Sequence, residues 1–144
     1  MPVTHESIDI ACTPEAAFAF TADPKTQVEI NPSVREIRDL NGEQPKVGDQ
    51  WTVVLDFMGR EIISTYTLVE SHAPSRLVYT HTSNSADIRI VWSFEPAIVG
   101  TRVRYYSNGQ PKGFFTTLAL NLVKGNFDNN VHKSLSAMKA QLES

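Results

Sequence analysis

The hydrophobic period of this chain changes once, and that change limits the folds open to it. Through the middle of the sequence apolar residues alternate with polar ones, which is the pattern of strands with one buried face. From Lys112 onward there is no proline, and apolar residues recur every three to four positions, as on one side of a helix. The sequence therefore predicts a run of antiparallel strands followed by one long C-terminal helix.

A first predicted hairpin determines which side chains face each other. Two alternating stretches, QWTVVLDF and REIISTYTLVE, are separated by two residues. If the last residue of the first stretch pairs with the first of the second, Trp51 lies opposite Tyr66 and Val53 lies opposite Ser64. All four side chains then point to the same face of the sheet.

A second predicted hairpin, within FEPAIVGTRVRYY and the residues before it, carries much of the aromatic surface. Pro96 and Gly100 form its loop, and alternation places Trp92, Phe94 and Tyr105 on one face. Such a face either packs solidly against the rest of the protein or lines a cavity. The alternation alone leaves both interpretations open.

A first strand, 3–11, precedes two short helices. The motif TPEAAFAF opens the first helix, since Thr13 can cap it and a proline suits its first position. Asp23-Pro24 ends this helix, because the residue before a proline avoids helical geometry. The stretch 25–30 predicts the second helix.

The C-terminal helix has an apolar stripe and, nearer its start, a wider apolar surface. The stripe consists of Phe127, Val131, Leu135, Met138 and Leu142. The wider surface includes Phe115, Leu118 and Leu122. A helix that is apolar around much of its girth needs cover on more than one side. We therefore expect the strands to wrap around it.

The predicted fold class is α+β, in one domain over residues 1–144, with a curved antiparallel sheet of about six or seven strands wrapped around the long helix. In chain order, TPEAAFAFTADP, INPSVREI, VGDQW, GREIISTYTLVESHAPSRLVY and WSFEPAIVGTRVRY precede the amphipathic helix. Together they resemble the polyketide cyclase/dehydrase and lipid-transport family of the StAR-related and birch-pollen-allergen superfamily. The resemblance covers almost the whole chain and implies a helix-grip fold. Ile30 departs from it, at a position where members often have tryptophan.

The resemblance implies a deep apolar cavity between the sheet and the C-terminal helix. The leading hypothesis is therefore a binding protein for a hydrophobic small molecule: a lipid, an isoprenoid or a polyketide-like compound. The alternatives are a cyclase or dehydratase that transfers protons in the same cavity, and a non-catalytic module that engages a partner protein. The residues expected to contact the ligand are Trp51, Val53, Leu55, Ser64, Tyr66, Tyr79, His81, Ile90, Trp92, Phe94, Tyr105, Phe115, Leu118 and Leu122.

His81 and Tyr66 are the candidate catalytic residues for the enzyme hypothesis. His81 alternates with Leu77 and Tyr79, so all three share a face, and an inward imidazole can exchange protons near neutral pH. Tyr66 would orient an oxygen of the substrate. The alternative for His81 is a core histidine that is hydrogen-bonded to a tyrosine or to the backbone.

Several functional classes find no support in the composition. The formal charge of −3, from 13 basic and 16 acidic residues, does not fit a nucleic-acid partner. No apolar stretch is long enough for a membrane span, and no basic start leads into an apolar run, so a cytoplasmic location is expected. Cys12 is the single cysteine, and the four histidines do not have metal-ligand spacing. We expect neither a metal nor a cofactor.

Overall fold

The chain forms a seven-stranded sheet and three helices in the computed structural model, which describes residues 3–40, 44–57, 59–112 and 117–144, with the backbone alone for 57 and 117–123. The strands are β1 (Val3–Ile10), β2 (Val34–Arg38), β3 (Gln50–Phe57), β4 (Arg60–His72), β5 (Arg76–Thr82), β6 (Ala86–Pro96) and β7 (Thr101–Pro111). The helices are α1 (Pro14–Ala22), α2 (Lys25–Ile30) and α3 (Thr117–Leu142).

The sheet is open and antiparallel throughout. Its order is β1-β7-β6-β5-β4-β3-β2. Each strand from β2 to β7 therefore lies beside its sequence neighbour, and β1 pairs with β7 at one edge. The inner face of the sheet carries α1 and α3, while α2 packs against β2 and α3. The α+β helix-grip architecture expected from the sequence is confirmed.

The β3–β4 hairpin has the register that its two-residue turn predicts. Trp51 pairs with Tyr66, and Val53 pairs with Ser64. The next pairing, between β4 and β5, brings His81 opposite Tyr66 and has a bulge between Leu68 and Glu70. A bulge of this kind bends its strand and increases the local twist, which helps the sheet to curve.

The first helix begins as its motif predicts. The Thr13 side chain accepts a hydrogen bond from the backbone N–H of Ala16 at 3.1 Å, and Pro14 occupies the first helical position. The helix lies across one end of the inner face, where the rings of Phe18 and Phe94 meet edge to face, with 5.7 Å between their centroids.

The core is densest near that end of the sheet. Ile10, Leu77, Val103 and Met138 have no exposed surface. Met138 belongs to the apolar stripe of α3, of which Val131 and Leu135 are also buried, while Phe127 and Leu142 are partly buried against the same core. The stripe therefore faces the sheet, as predicted.

Candidate ligand cavity

A cavity of about 190 Å³ lies between the inner face of the sheet and the helices α2 and α3. Its lining is mainly apolar and aromatic, with hydroxyl and amide groups among the rings. The lining residues from the strands and their turns are Thr4, Val34, Trp51, Val53, Leu55, Ile62, Ser64, Tyr66, Tyr79, His81, Ser83, Ser85, Ala86, Ile88, Ile90, Trp92, Tyr105, Ser107 and Gly109. Those from the helices and the segments beside them are Thr21, Pro24, Gln27, Asn31, Ser33, Lys124, Phe127, Asn130, Val131 and Ser134.

Aromatic rings from neighbouring strands form one wall of the cavity. The Trp51 indole lies 5.9 Å from the ring of Tyr79 at a near-perpendicular angle, and 6.1 Å from the ring of Tyr66. Across the sheet, Trp92 and Tyr105 meet edge to face at 5.0 Å. Such edge-to-face pairs hold each other's orientation, so this wall is preformed.

His81 lies at the centre of a small polar cluster on the inner face. Its Nδ1 is 3.0 Å from Ser64 Oγ, and Ser64 Oγ is also 3.3 Å from the backbone oxygen of Thr82. The imidazole stacks on the ring of Tyr66, with centroids 4.5 Å apart and an angle of 7° between the planes. The contacts place a buried imidazole in the cavity wall, with one nitrogen anchored.

Burial determines the protonation state of these groups. Desolvation lowers the pKa of His81 to about 4, although the carboxylate of Asp87 acts in the opposite direction. Burial also raises the pKa of Tyr105 to about 12 and raises the pKa values of Tyr66 and Tyr79 above their usual range. At neutral pH, therefore, the imidazole and the phenols are all uncharged.

A polar rim ties α3 to the sheet on one side of the cavity. Thr4 Oγ donates a hydrogen bond to Asp128 at 2.6 Å, and the ammonium of Lys124 lies 2.6 Å from the other carboxylate oxygen. On the other side, Asn130 Nδ2 donates to Ser33 Oγ at 2.6 Å. Both attachments come from a single turn near the middle of α3.

Most of the residues predicted to contact a ligand lie in this cavity wall. Those that line it are Trp51, Val53, Leu55, Ser64, Tyr66, Tyr79, His81, Ile90, Trp92 and Tyr105. Phe94 does not: it shares their face but is covered by Phe18 of α1. Phe115 lies outside the described residues, as do the side chains of Leu118 and Leu122.

The sequence interpretation missed the polar rim. Thr4, Lys124 and Asn130 line the cavity, yet none belongs to an aromatic or apolar pattern. Helical spacing could have indicated Lys124 and Asn130, which lie within a turn of Phe127 on the predicted helix. Thr4 gave no such signal, because its role depends on the pairing of β1 with β7.

The described part of the chain offers neither a cluster of metal-ligating side chains nor a membrane-spanning helix. No three histidine, cysteine, aspartate or glutamate side chains come together there as metal ligands. Nor does any helix there have the length and apolarity that a bilayer span requires.

Solved structures of similar fold span nearly the whole chain. A START superfamily protein from Mycobacterium smegmatis is 13% identical, with a TM-score of 0.78, over 97% of this chain and 98% of that one. The Zhui aromatase/cyclase from a Streptomyces species is 12% identical, with a TM-score of 0.81, over 98% and 93%. Ara h 8.0201 is 13% identical, with a TM-score of 0.73, over 97% and 96%. At these identities the likeness concerns the fold.

The sequence itself indicates the family. No curated protein matches it. The model of the family described as "Polyketide cyclase / dehydrase and lipid transport" matches residues 1–143. The chain therefore belongs to the polyketide cyclase/dehydrase and lipid-transport family.

Proposed function

We propose that this protein binds a hydrophobic small molecule, such as a lipid, an isoprenoid or a polyketide-like compound, in the cavity between the sheet and α3. The observation that carries the proposal is the cavity itself. It has a volume of about 190 Å³ and lies between the aromatic side chains of the sheet and the C-terminal helix. An apolar cavity of about 150 Å³ already accommodates benzene. A mostly apolar wall with a few polar groups is the usual construction of a small-molecule site.

The charges around the cavity favour a ligand whose enclosed part is uncharged. Among the described lining residues, Lys124 carries the one formal charge, and Asp128 neutralises it at 2.6 Å. Deeper in the cavity, His81 and the tyrosines are neutral at pH 7. An ionised group placed there would lose its hydration without gaining a counter-ion, which is costly.

A cavity-filling variant tests the proposal. A Cβ added to Gly109 would meet Ile88 at 3.5 Å, an ordinary contact, so the rest of a Gly109→Leu side chain would extend into the cavity. Gln110→Leu places the same side chain at the next, exposed position of β7, where it does not enter the cavity. Ligands retained on the purified protein would be identified by mass spectrometry, and a panel of apolar compounds would be screened by thermal shift.

We expect Gly109→Leu to weaken or abolish ligand binding, whereas Gln110→Leu should bind like the unaltered protein. If no apolar compound stabilises the protein, or if the filled variant binds as well as its control, the proposal is wrong. Thermal unfolding of both variants without ligand is the control, and a cooperative transition in each would show that both are folded.

A second candidate function is a cyclase or dehydratase reaction in the same cavity. The observation that favours it is the position of His81, whose imidazole stacks on Tyr66 in the cavity wall, where it can exchange a proton with a bound substrate. Tyr66 would then hold a substrate oxygen. Once a substrate is identified, His81→Gln should reduce kcat strongly and Tyr66→Phe less so. Unchanged turnover in both variants would exclude these roles.

A further inference from the structure

We propose that the cavity selects a ligand with a hydroxyl group, and that this group donates its hydrogen bond to Nε2 of His81. The inference rests on the proposed function and names the class of ligand: an alcohol, a phenol or an enol, rather than a compound with acceptor oxygens alone.

The first step is the tautomer of His81, which the hydroxyl of Ser64 determines. Ser64 Oγ is within hydrogen-bond distance of two groups, His81 Nδ1 at 3.0 Å and the Thr82 carbonyl at 3.3 Å. A carbonyl oxygen can only accept, and a serine hydroxyl has one proton to donate. Both contacts are satisfied together when Ser64 donates to Thr82 and Nδ1–H donates to Ser64. Nε2 then carries the lone pair.

Nε2 of His81 is the ring nitrogen that a ligand in the cavity can reach. Ser64 takes the Nδ1 edge of the ring, and Tyr66 covers one of its faces, so Nε2 is the remaining polar atom of an imidazole that lines the cavity. His81 also keeps 8% of its surface exposed, and that surface borders the cavity. A ligand in the cavity would therefore meet the Nε2 edge of the ring.

The third step is the chemistry that a neutral acceptor recognises. Burial favours the neutral imidazole, and in its Nδ1–H tautomer Nε2 accepts a hydrogen bond and cannot donate one. A ketone, ether or ester oxygen would face the lone pair of Nε2 and could form no hydrogen bond with it. A carboxylic acid would be ionised at neutral pH and would have no proton to offer. An apolar ligand with a hydroxyl group can donate a hydrogen bond to Nε2 and pack its apolar part against the cavity wall.

Nitrogen NMR tests the tautomer without any ligand. In protein labelled with nitrogen-15 at histidine, we expect the Nδ1 of His81 to have the shift of a protonated nitrogen and Nε2 that of an unprotonated one. Ser64→Ala removes the acceptor and should increase the population of the Nε2–H form. Thr65→Ala, at the adjacent exposed position of β4, should not. A protonated Nε2 in the unaltered protein would overturn the proposal.

Matched compounds test the ligand class. 2-Naphthol, 2-methoxynaphthalene and 2-acetylnaphthalene share one ring system, and only the first can donate a hydrogen bond. By calorimetry we expect 2-naphthol to bind roughly two- to tenfold more tightly than the other two. His81→Phe keeps a ring beside Tyr66 but removes Nε2, so it should abolish that preference.

Equal or weaker binding of 2-naphthol, or a preference that survives in His81→Phe, would overturn the proposed selectivity. If none of the three compounds nor any other apolar compound binds, the proposed function fails instead. The NMR result then still decides whether Nε2 is an acceptor.

Discussion

The imidazole of His81 lies parallel to the ring of Tyr66, with 4.5 Å between their centroids, because β4 and β5 pair these two residues directly. Stacked cross-strand rings stabilise a sheet and hold each other's orientation. The stack therefore turns a residue of the sheet into a fixed part of the cavity wall. The burial of the imidazole there makes the stability of the protein depend on pH.

The stability of the protein should fall as the pH decreases from about 6.5 towards 4. The pKa of His81 is about 4 in the folded protein and 6.5 in an unfolded chain, so the unfolded state binds more protons between these values. The difference corresponds to at most about 3 kcal/mol. Urea unfolding at a series of pH values should show this slope and its loss in His81→Gln.

His132 provides the matched control for this prediction, since it is exposed on α3. His132→Gln should keep the slope of the unaltered protein. A slope that is equal in all three proteins between pH 5 and 6.5 would contradict the assignment to His81.

Removal of the Tyr66 ring should cost far more stability than removal of its hydroxyl group. Tyr66 contacts both His81 and Trp51 through its ring. Tyr66→Ala should lower the free energy of unfolding by about 3 kcal/mol, whereas Tyr66→Phe should change it by less than about 1 kcal/mol. Chemical denaturation measures both values, and equal losses would show that the hydroxyl dominates.

Two glycines with positive φ should respond very differently to alanine. At Gly100 (φ +81°) a Cβ would lie 2.1 Å from the carbonyl oxygen of Ile10, while at Gly48 (φ +96°) it would meet nothing within 4 Å. Gly48→Ala should cost about 1–2 kcal/mol from backbone strain alone. Gly100→Ala should cost several kcal/mol more or prevent folding, as thermal unfolding would show. Similar melting temperatures for the two variants would contradict the close approach.

The hydrogen bond between Thr4 and Asp128 should contribute measurably to the attachment of α3. Thr4 is buried, and its hydroxyl lies 2.6 Å from the carboxylate. Thr4→Val keeps the shape of the side chain and should cost about 1–2 kcal/mol. Ser7→Ala, at an exposed position of the same strand, should have little effect. No difference in urea midpoint between the two would argue against a role for this bond.

The local features of the fold were predictable from the sequence. The two-residue turn after Phe57 fixed the pairing of Trp51 with Tyr66, because register follows from turn length. The cap at Thr13 and the stripe that includes Leu135 also followed from local rules. In each case the information lies in the length of a turn, in a cap motif or in the hydrophobic period of a single helix.

The candidate site was less predictable, because alternation gives the face of a side chain but not what covers it. Phe94 and Trp92 share the inner face of β6, yet α1 covers one and the cavity borders the other. The contact between Ser64 and His81 likewise depends on the pairing of β4 with β5, whose bulge at Leu68 no local pattern indicates. Packing between elements distant in sequence determines both which side chains border the cavity and which polar groups meet there.

The rings of Phe18 and Phe94 have a consequence for the kinetics of exchange. Because these packed rings cover one end of the inner face, the exit of any bound molecule should depend on how often α3 separates from the segment before β2, where Asn130 donates to Ser33. Loosening that attachment should accelerate release, while a smaller side chain at Phe94 should weaken the fold and leave the dissociation rate alone.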